Sequence, residues 1–176
     1  MDASGIDFNA IAEEWLDQLE QSITIHESHL IESLFLSESY WRDALALTWK
    51  IQTIFSQNEI CEALACALKK AGAYHFKLDF SDNPPSIVNR IGTDTMEAFF
   101  KFETTAGRGR GIIRLCSDAS DGGIYKAWTF LTALEELKGF EEKKWSLSSN
   151  KKDRFTRVCW TKLARPTPNC KRLFRL

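Results

Sequence analysis

Three adjacent residues, Trp41-Arg42-Asp43, place an indole, a cation and a carboxyl group inside the largely apolar stretch from Leu34 to Trp49. Two chemistries suit that trio. One is a structural ion pair under an aromatic lid, because burying either charge alone is costly. The other is a pocket wall in which Asp43 takes a proton. Arg42 favours the first, since a neighbouring cation stabilises the charged carboxylate. His75 lies on an alternating stretch, opposite its aromatics, and becomes a pocket candidate if the sheet it belongs to is curved. His26 and His29 fall between helical stretches, at positions expected to be exposed. The run Gly107-Arg108-Gly109-Arg110-Gly111 has the glycine density of a phosphate loop without its spacing. A dinucleotide fingerprint needs G-x-G-x-x-G opening a helix, and here Ile112 starts a strand pattern. The run reads as a hairpin turn whose two arginines could meet an acidic partner. Nucleophile elbow, P-loop and paired-carboxylate patterns are absent from the sequence. Cys61, Cys66, Cys116, Cys159 and Cys170 show no CxxC spacing, so they and the three histidines offer no metal-ligand set.

These residues need elements to position them. Phe8, Ile11, Ala12, Trp15, Leu19 and Ile23 recur at three- and four-residue steps and predict a helix over 6–25, capped by Asp7 or Asn9. A short helix follows over 28–34. Ser56-Gln57-Asn58-Glu59 matches a capping box opening a helix that carries Ile60, Ala63, Leu64, Ala67 and Leu68 on one face and stops at Gly72. Cys61 and Cys66 read as small core residues of that helix. Beyond Gly72 the period becomes two. Tyr74, Phe76, Leu78 and Phe80 alternate with polar residues, 87–91 forms a short strand ended by Gly92, and Ala98, Phe100, Phe102 and Thr104 alternate with Phe99, Lys101 and Glu103. Ile112 to Cys116 is a further strand, and Asp121-Gly122-Gly123 a turn. Two stretches stay open between helix and strand by pattern alone: Ala44 to Ile51, and Ile124 to Leu137. Helices first and strands after predict an α+β fold, with helices packed on one face of a curved, mainly antiparallel sheet.

The chain has 176 residues, enough for one domain with a substantial core, and an ordinary globular composition, 44% hydrophobic and 27% charged. No apolar run approaches the ~20 residues of a membrane helix, and the N-terminus has no signal-peptide pattern. The scattered cysteines suggest reduced thiols in a cytoplasmic protein. Charge is asymmetric. Residues 146–176 carry four Lys, five Arg and one Asp, a balance of +8, and the whole chain is at −1, so residues 1–145 sum to −9. The expected organisation is a domain over 6–144 and a basic tail over 145–176. The tail has too few apolar residues to offset ordering entropy, and is expected to be disordered and cut first by trypsin. It could bind nucleic acid through its charge alone, without sequence specificity.

Several words of the sequence together resemble the N-terminal region of fungal flavin-binding monooxygenase-like proteins, a region with an NTF2-like (SnoaL-like) fold. They are Ala12-Glu13-Glu14-Trp15-Leu16, Leu34-Phe35, Tyr40-Trp41-Arg42-Asp43 and Leu45-Ala46-Leu47-Thr48-Trp49. The match continues with Glu97-Ala98-Phe99-Phe100-Lys101-Phe102-Glu103-Thr104, Gly107 to Gly111, Lys126-Ala127-Trp128-Thr129 and Leu134-Glu135-Glu136-Leu137-Lys138-Gly139. It runs from about residue 7 to residue 144. The resemblance implies helices over a bent sheet enclosing a cone, and makes both Ala44–Ile54 and Ile124–Leu137 strands. A cone of this kind would be lined by Trp41, Arg42, Asp43, Trp49, His75, Phe100, Arg114 and Trp128. One departure lies within the match: Ser56-Gln57 stands where a glycine is expected. In the family, FAD- and NADPH-binding domains follow. After Glu141-Glu142-Lys143-Lys144 no Gly-x-Gly-x-x-Gly appears, so no flavin or nicotinamide cofactor is expected on this chain. The resulting expectation is a truncated, non-catalytic relative that binds or dimerises. The alternatives are a stand-alone pocket enzyme of isomerase or dehydratase type acting on a small apolar molecule, and a fragment of the monooxygenase itself.

Overall fold

A computed structural model of the chain describes residues 7–25, 28–81, 83–90 and 92–141, the side chains of Ser28 and Ser120 excepted. The expected basic tail lies outside the described residues. Helix α1 (Phe8–Ile25) begins where the Asp7 carboxyl accepts the backbone N–H groups of Asn9 and Ala10, two of the donors a helix start leaves free. It buries Ala12, Trp15 and Leu19 of the predicted stripe, and Leu16 beside them. A short α2 (Ser28–Ser33) leads into strand β1 (Phe35–Ala44), then β2 (Ile51–Phe55) and α3 (Gln57–Ala71). The remaining strands are β3 (Tyr74–Leu78), β4 (Ser86–Arg90), β5 (Thr93–Glu103), β6 (Gly107–Asp118) and β7 (Ile124–Leu137). They form one open sheet in the order β2-β1-β7-β6-β5-β3, with β4 pairing β5 beside β3. All neighbours are antiparallel except β1 and β7, which run parallel. The α+β expectation and the strand at Ile124–Leu137 hold.

Four local expectations are corrected. Ala44–Ile54 is not one strand: Leu45 to Lys50 is an irregular loop between β1 and β2, with Leu45 and Trp49 at φ 65° and 58°. Gly107 to Gly111 is not a turn but the first half of β6, and the turn precedes it, with the Thr104 N–H donating to the Gly107 carbonyl. Its glycines face inward, where Gly109 lies opposite Phe102 and Gly111 opposite Phe100, while Arg108 and Arg110 point out. A Cβ on Gly111 would fall well inside contact distance of both the Phe100 ring and the Leu131 carbonyl. The alternation of β3 breaks at His75 (φ 56°), and a register shift between Tyr74 and Lys77 sends the Tyr74 side chain to the face opposite Phe76. Cys66 is exposed, and Cys61 alone of that pair is buried.

Helix α3 follows its predicted caps. Gly72 closes it in the left-handed conformation, its N–H directed at the Leu68 and Lys69 carbonyls. At the other end the Ser56 hydroxyl accepts the Glu59 N–H, but its backbone sits at φ 77°, ψ 144°. That region costs a non-glycine residue about 1–3 kcal/mol, and glycine is also a tolerated N-cap. Ser56→Gly is therefore expected to stabilise the domain by about 1 kcal/mol, read as an increased urea midpoint with unchanged slope. A decrease would show that the hydroxyl outweighs the strain.

Candidate functional site

Adjacent residues on a strand point to opposite faces. Trp41 and Asp43 accordingly enter the interior, both wholly buried, while Arg42 stands exposed on the other face and donates to the Thr53 hydroxyl at 2.9 Å. The expected Arg42–Asp43 ion pair does not form. Asp43 is instead held by its scaffold. One carboxyl oxygen accepts the Thr132 hydroxyl at 2.7 Å, and the other the Thr48 hydroxyl and N–H at 2.6 and 2.8 Å. The Leu47 N–H is shared between both oxygens. The Thr132 hydroxyl in turn accepts the Trp41 indole N–H at 3.1 Å. A carboxylate offers about four acceptor positions, and here backbone and side chains of the protein take them. The arrangement folds the Leu45–Lys50 loop over the end of β1 and leaves no opening for a substrate at Asp43.

Aromatic rings fill the inner face of the sheet. Phe76 stacks on Phe102 at 5.3 Å and Phe100 on Phe130 at 5.5 Å, and Phe100 and Phe102 join the two pairs at 5.9 Å. Phe130 meets Phe35 and Trp15, and the Trp15 indole donates to the Leu34 carbonyl. Each of these aromatic side chains is at most 3% exposed. Together they occupy the space between sheet and helices. Open grooves of about 340 and 410 Å³ lie along the flanks of α1, one lined by Glu13, Asp17, Phe76 and Phe80, the other by Glu14, Gln18, Ile124 and Lys126.

The eight expected lining residues are therefore dispersed. Trp41, Asp43 and Phe100 are interior and packed. Trp49 is exposed on its loop. His75 is exposed beside Tyr74, its backbone N–H held by the Glu20 carboxyl. Trp128 is the extra residue of a bulge in β7, between the Arg114–Thr129 and Leu115–Ala127 pairs. Arg114 lies on the outer face, bonded to Glu97 at 2.7 Å, and Glu97 also takes Arg90.

The residue that sequence reading missed is Asp79, just past β3. It accepts Arg110 at 2.7 Å, Lys101 at 2.9 Å and the Ser81 hydroxyl at 2.6 Å. It is covered by these partners on the sheet surface rather than sunk in the core. Its cover alone would push the carboxyl pKa up, but the bonds from Ser81, Lys101 and Arg110 outweigh that and hold it well below the usual carboxylate range. A depressed folded-state pKa means stability that is complete above the unfolded value of about 3.9 and is lost as pH falls below it. The expected result is that Asp79→Asn lowers the urea midpoint at pH 7 and that the gap to the native protein narrows by pH 3. A gap independent of pH would remove the carboxylate from the account. The signal in the sequence was weak: Arg110 is 31 residues away, inside the glycine run.

No family model and no curated protein matches this sequence. Solved structures do. A protein of unknown function with a cystatin-like fold from Nostoc punctiforme PCC 73102 superposes with a TM-score of 0.54 at 12% identity, over 77% of this chain and 96% of that one. A variant of Rd1NTF2_05 gives 0.50 at 12% identity, over 72% and 100%. ActVI-ORFA from Streptomyces coelicolor gives 0.50 at 9% identity, over 72% and 96%. At these identities the likeness establishes the fold alone.

Proposed function

From an NTF2-like fold whose inner face is packed, we propose that this domain is a non-catalytic binding and assembly module, working through its surface and not by turnover inside the cone. The observation that carries the reading is the ring cluster from Phe76 to Trp15, which takes the volume a small apolar ligand would need. Asp43, the interior acid that an isomerase or dehydratase reading requires, spends its acceptor positions on Thr48, Leu47 and Thr132. Its relation to the N-terminal region of fungal flavin-binding monooxygenase-like proteins rests on the quoted words of sequence. Among the described residues no helix is long and apolar enough to cross a membrane, and scattered thiols support a cytoplasmic setting.

FAD and NADPH do not fit the described residues. The glycine-rich run lies within strand β6, its inner side against Phe100 and Phe102, and leads into more strand. A pyrophosphate needs such a run at a strand-to-helix junction, where amides and helix dipole converge. The test is titration of the full chain with 1-anilinonaphthalene-8-sulfonate, followed by tryptophan fluorescence, and gel filtration in the presence of FAD. The expected result is no saturable one-to-one site and a colourless protein peak. Saturable binding abolished by Phe100→Trp, or a yellow peak, would overturn the reading.

A further inference from the structure

Strands at the two margins of the sheet are treated differently. At β3 the Glu20 carboxyl accepts the outward N–H groups of His75 and Phe76, the strand is bulged, and Lys77 is exposed. Those are devices that prevent a sheet edge from recruiting another strand. At β2 none of them is present. Its sequence, Ile51-Gln52-Thr53-Ile54-Phe55, is uncharged and rich in β-branched and aromatic residues. The hydrogen bonds flanking it fix which groups are free. The Ser56 N–H donates to the Ser39 carbonyl and the Leu45 N–H to the Lys50 carbonyl, so the even-numbered residues 50 to 56 bond to β1. By the alternation of an antiparallel ladder, Ile51, Thr53 and Phe55 turn their N–H and C=O groups away from it. Among the described residues nothing meets those groups.

The side chains add a second observation. Of the eleven exposed large hydrophobic residues among those described, five lie between Tyr40 and Phe55: Tyr40, Leu45, Trp49, Ile51 and Phe55. Ile51 is 65% exposed, Trp49 56% and Phe55 47%. Tyr40, Ile51 and Phe55 share the outer face of the β1–β2 ribbon, where Tyr40 packs on Phe55 at 4.9 Å.

We propose that β2 is a self-association edge, pairing antiparallel with β2 of a second copy about a two-fold axis through Thr53. The proposal deepens the assembly reading above and rests on it. Centring on Thr53 sets Ile51 of each copy against Phe55 of the other and satisfies all the outward backbone groups, about six hydrogen bonds. Only apolar and uncharged side chains become neighbours on the outer face. The nearest charge on that face, Arg42, lies three strand spacings from its counterpart in the second copy, ~14 Å, beyond the Debye length at physiological salt. A two-fold interface requires such self-complementarity.

The test is sedimentation velocity of the full chain over a concentration series, with Ile51→Glu, Phe55→Lys and an equal mixture of the two. Both positions are exposed, and circular dichroism with a thermal melt verifies that each variant folds. Each substituted homodimer opposes a charge to an apolar residue twice, so each variant alone is expected to associate about tenfold more weakly. In the mixture the introduced carboxylate of one copy faces the introduced ammonium of the other once, and the native Ile–Phe contact remains on the other side of the axis. Association is then expected to return to within about threefold of the native chain. Ile87→Glu, at an exposed position on β4, is expected to change nothing. A native chain that stays monomeric throughout, single variants that associate like the native chain, or a mixture that fails to recover would each overturn the proposal. None of these outcomes bears on whether the cone holds a ligand, which the probe titration decides.

Discussion

Asp43→Ala is expected to cost the domain about 3 kcal/mol or more, a fall of roughly 10 °C in melting temperature, while Arg42→Ala next to it stays within ~0.5 kcal/mol. Removing the carboxyl leaves the Thr132 and Thr48 hydroxyls and the Leu47 and Thr48 N–H groups without their acceptor. A buried donor so stranded costs about 1–3 kcal/mol, and not every one can turn to a replacement. The Trp41 indole is spared, because its acceptor is the Thr132 oxygen. Arg42 loses one bond to Thr53 on an exposed face, and water replaces it. Urea denaturation of both variants measures the contrast. Equal losses would mean that the two residues do act as a pair across the strand. Emission from Trp49, whose loop the carboxyl holds, is expected to shift in Asp43→Ala before the global transition.

Gly111→Ala is the second large effect, about 3 kcal/mol, at the upper end of ordinary overpacking. The added methyl would collide with two neighbours that cannot both yield. The Phe100 ring is stacked between Phe130 and the Phe76–Phe102 pair, and the Leu131 carbonyl belongs to the adjoining strand. Adding Phe100→Leu should recover part of the loss, since it removes the ring but leaves the carbonyl. The coupling between the two substitutions is expected at about 0.5–3 kcal/mol. Simple additivity would show that β6 shifts bodily and that the ring is not the obstacle.

Helices α1 and α3 were legible in the sequence because what makes them is local: a stripe at helical spacing, Asp7 and Ser56 at the starts, Gly72 at a stop. The inner residues of β5 were legible for the same reason. The separation of Arg42 from Asp43 was also within reach, since any strand through Tyr40–Ala44 must send them to opposite faces. What could not be read was decided by distant partners. The Leu45–Lys50 segment has the composition of a strand, and becomes a loop because Asp43, tied to Thr132, draws in the N–H groups of Leu47 and Thr48. The glycines of β6 look like a turn until Phe100 and Phe102 are placed across from them. Ser56 is an instructive intermediate. The resemblance expected glycine there, and the backbone does adopt a conformation that glycine prefers.

The parallel seam between β1 and β7 sets a condition on when the molecule can fold. Asp43 and Thr132, bonded across it, are 89 residues apart in the chain, and every other strand is made in the interval. At ribosomal rates of ~5–20 residues per second, β1 waits roughly 4–18 s for its central neighbour to be synthesised. Until then its apolar inner face and its vacant edge are open to other nascent chains. The closing step is a long loop closure, which places the domain among slow, high-contact-order folders. A nascent chain stalled before Ile124 would hold every other helix and strand described and still lack β7, the strand that joins β1 to β6.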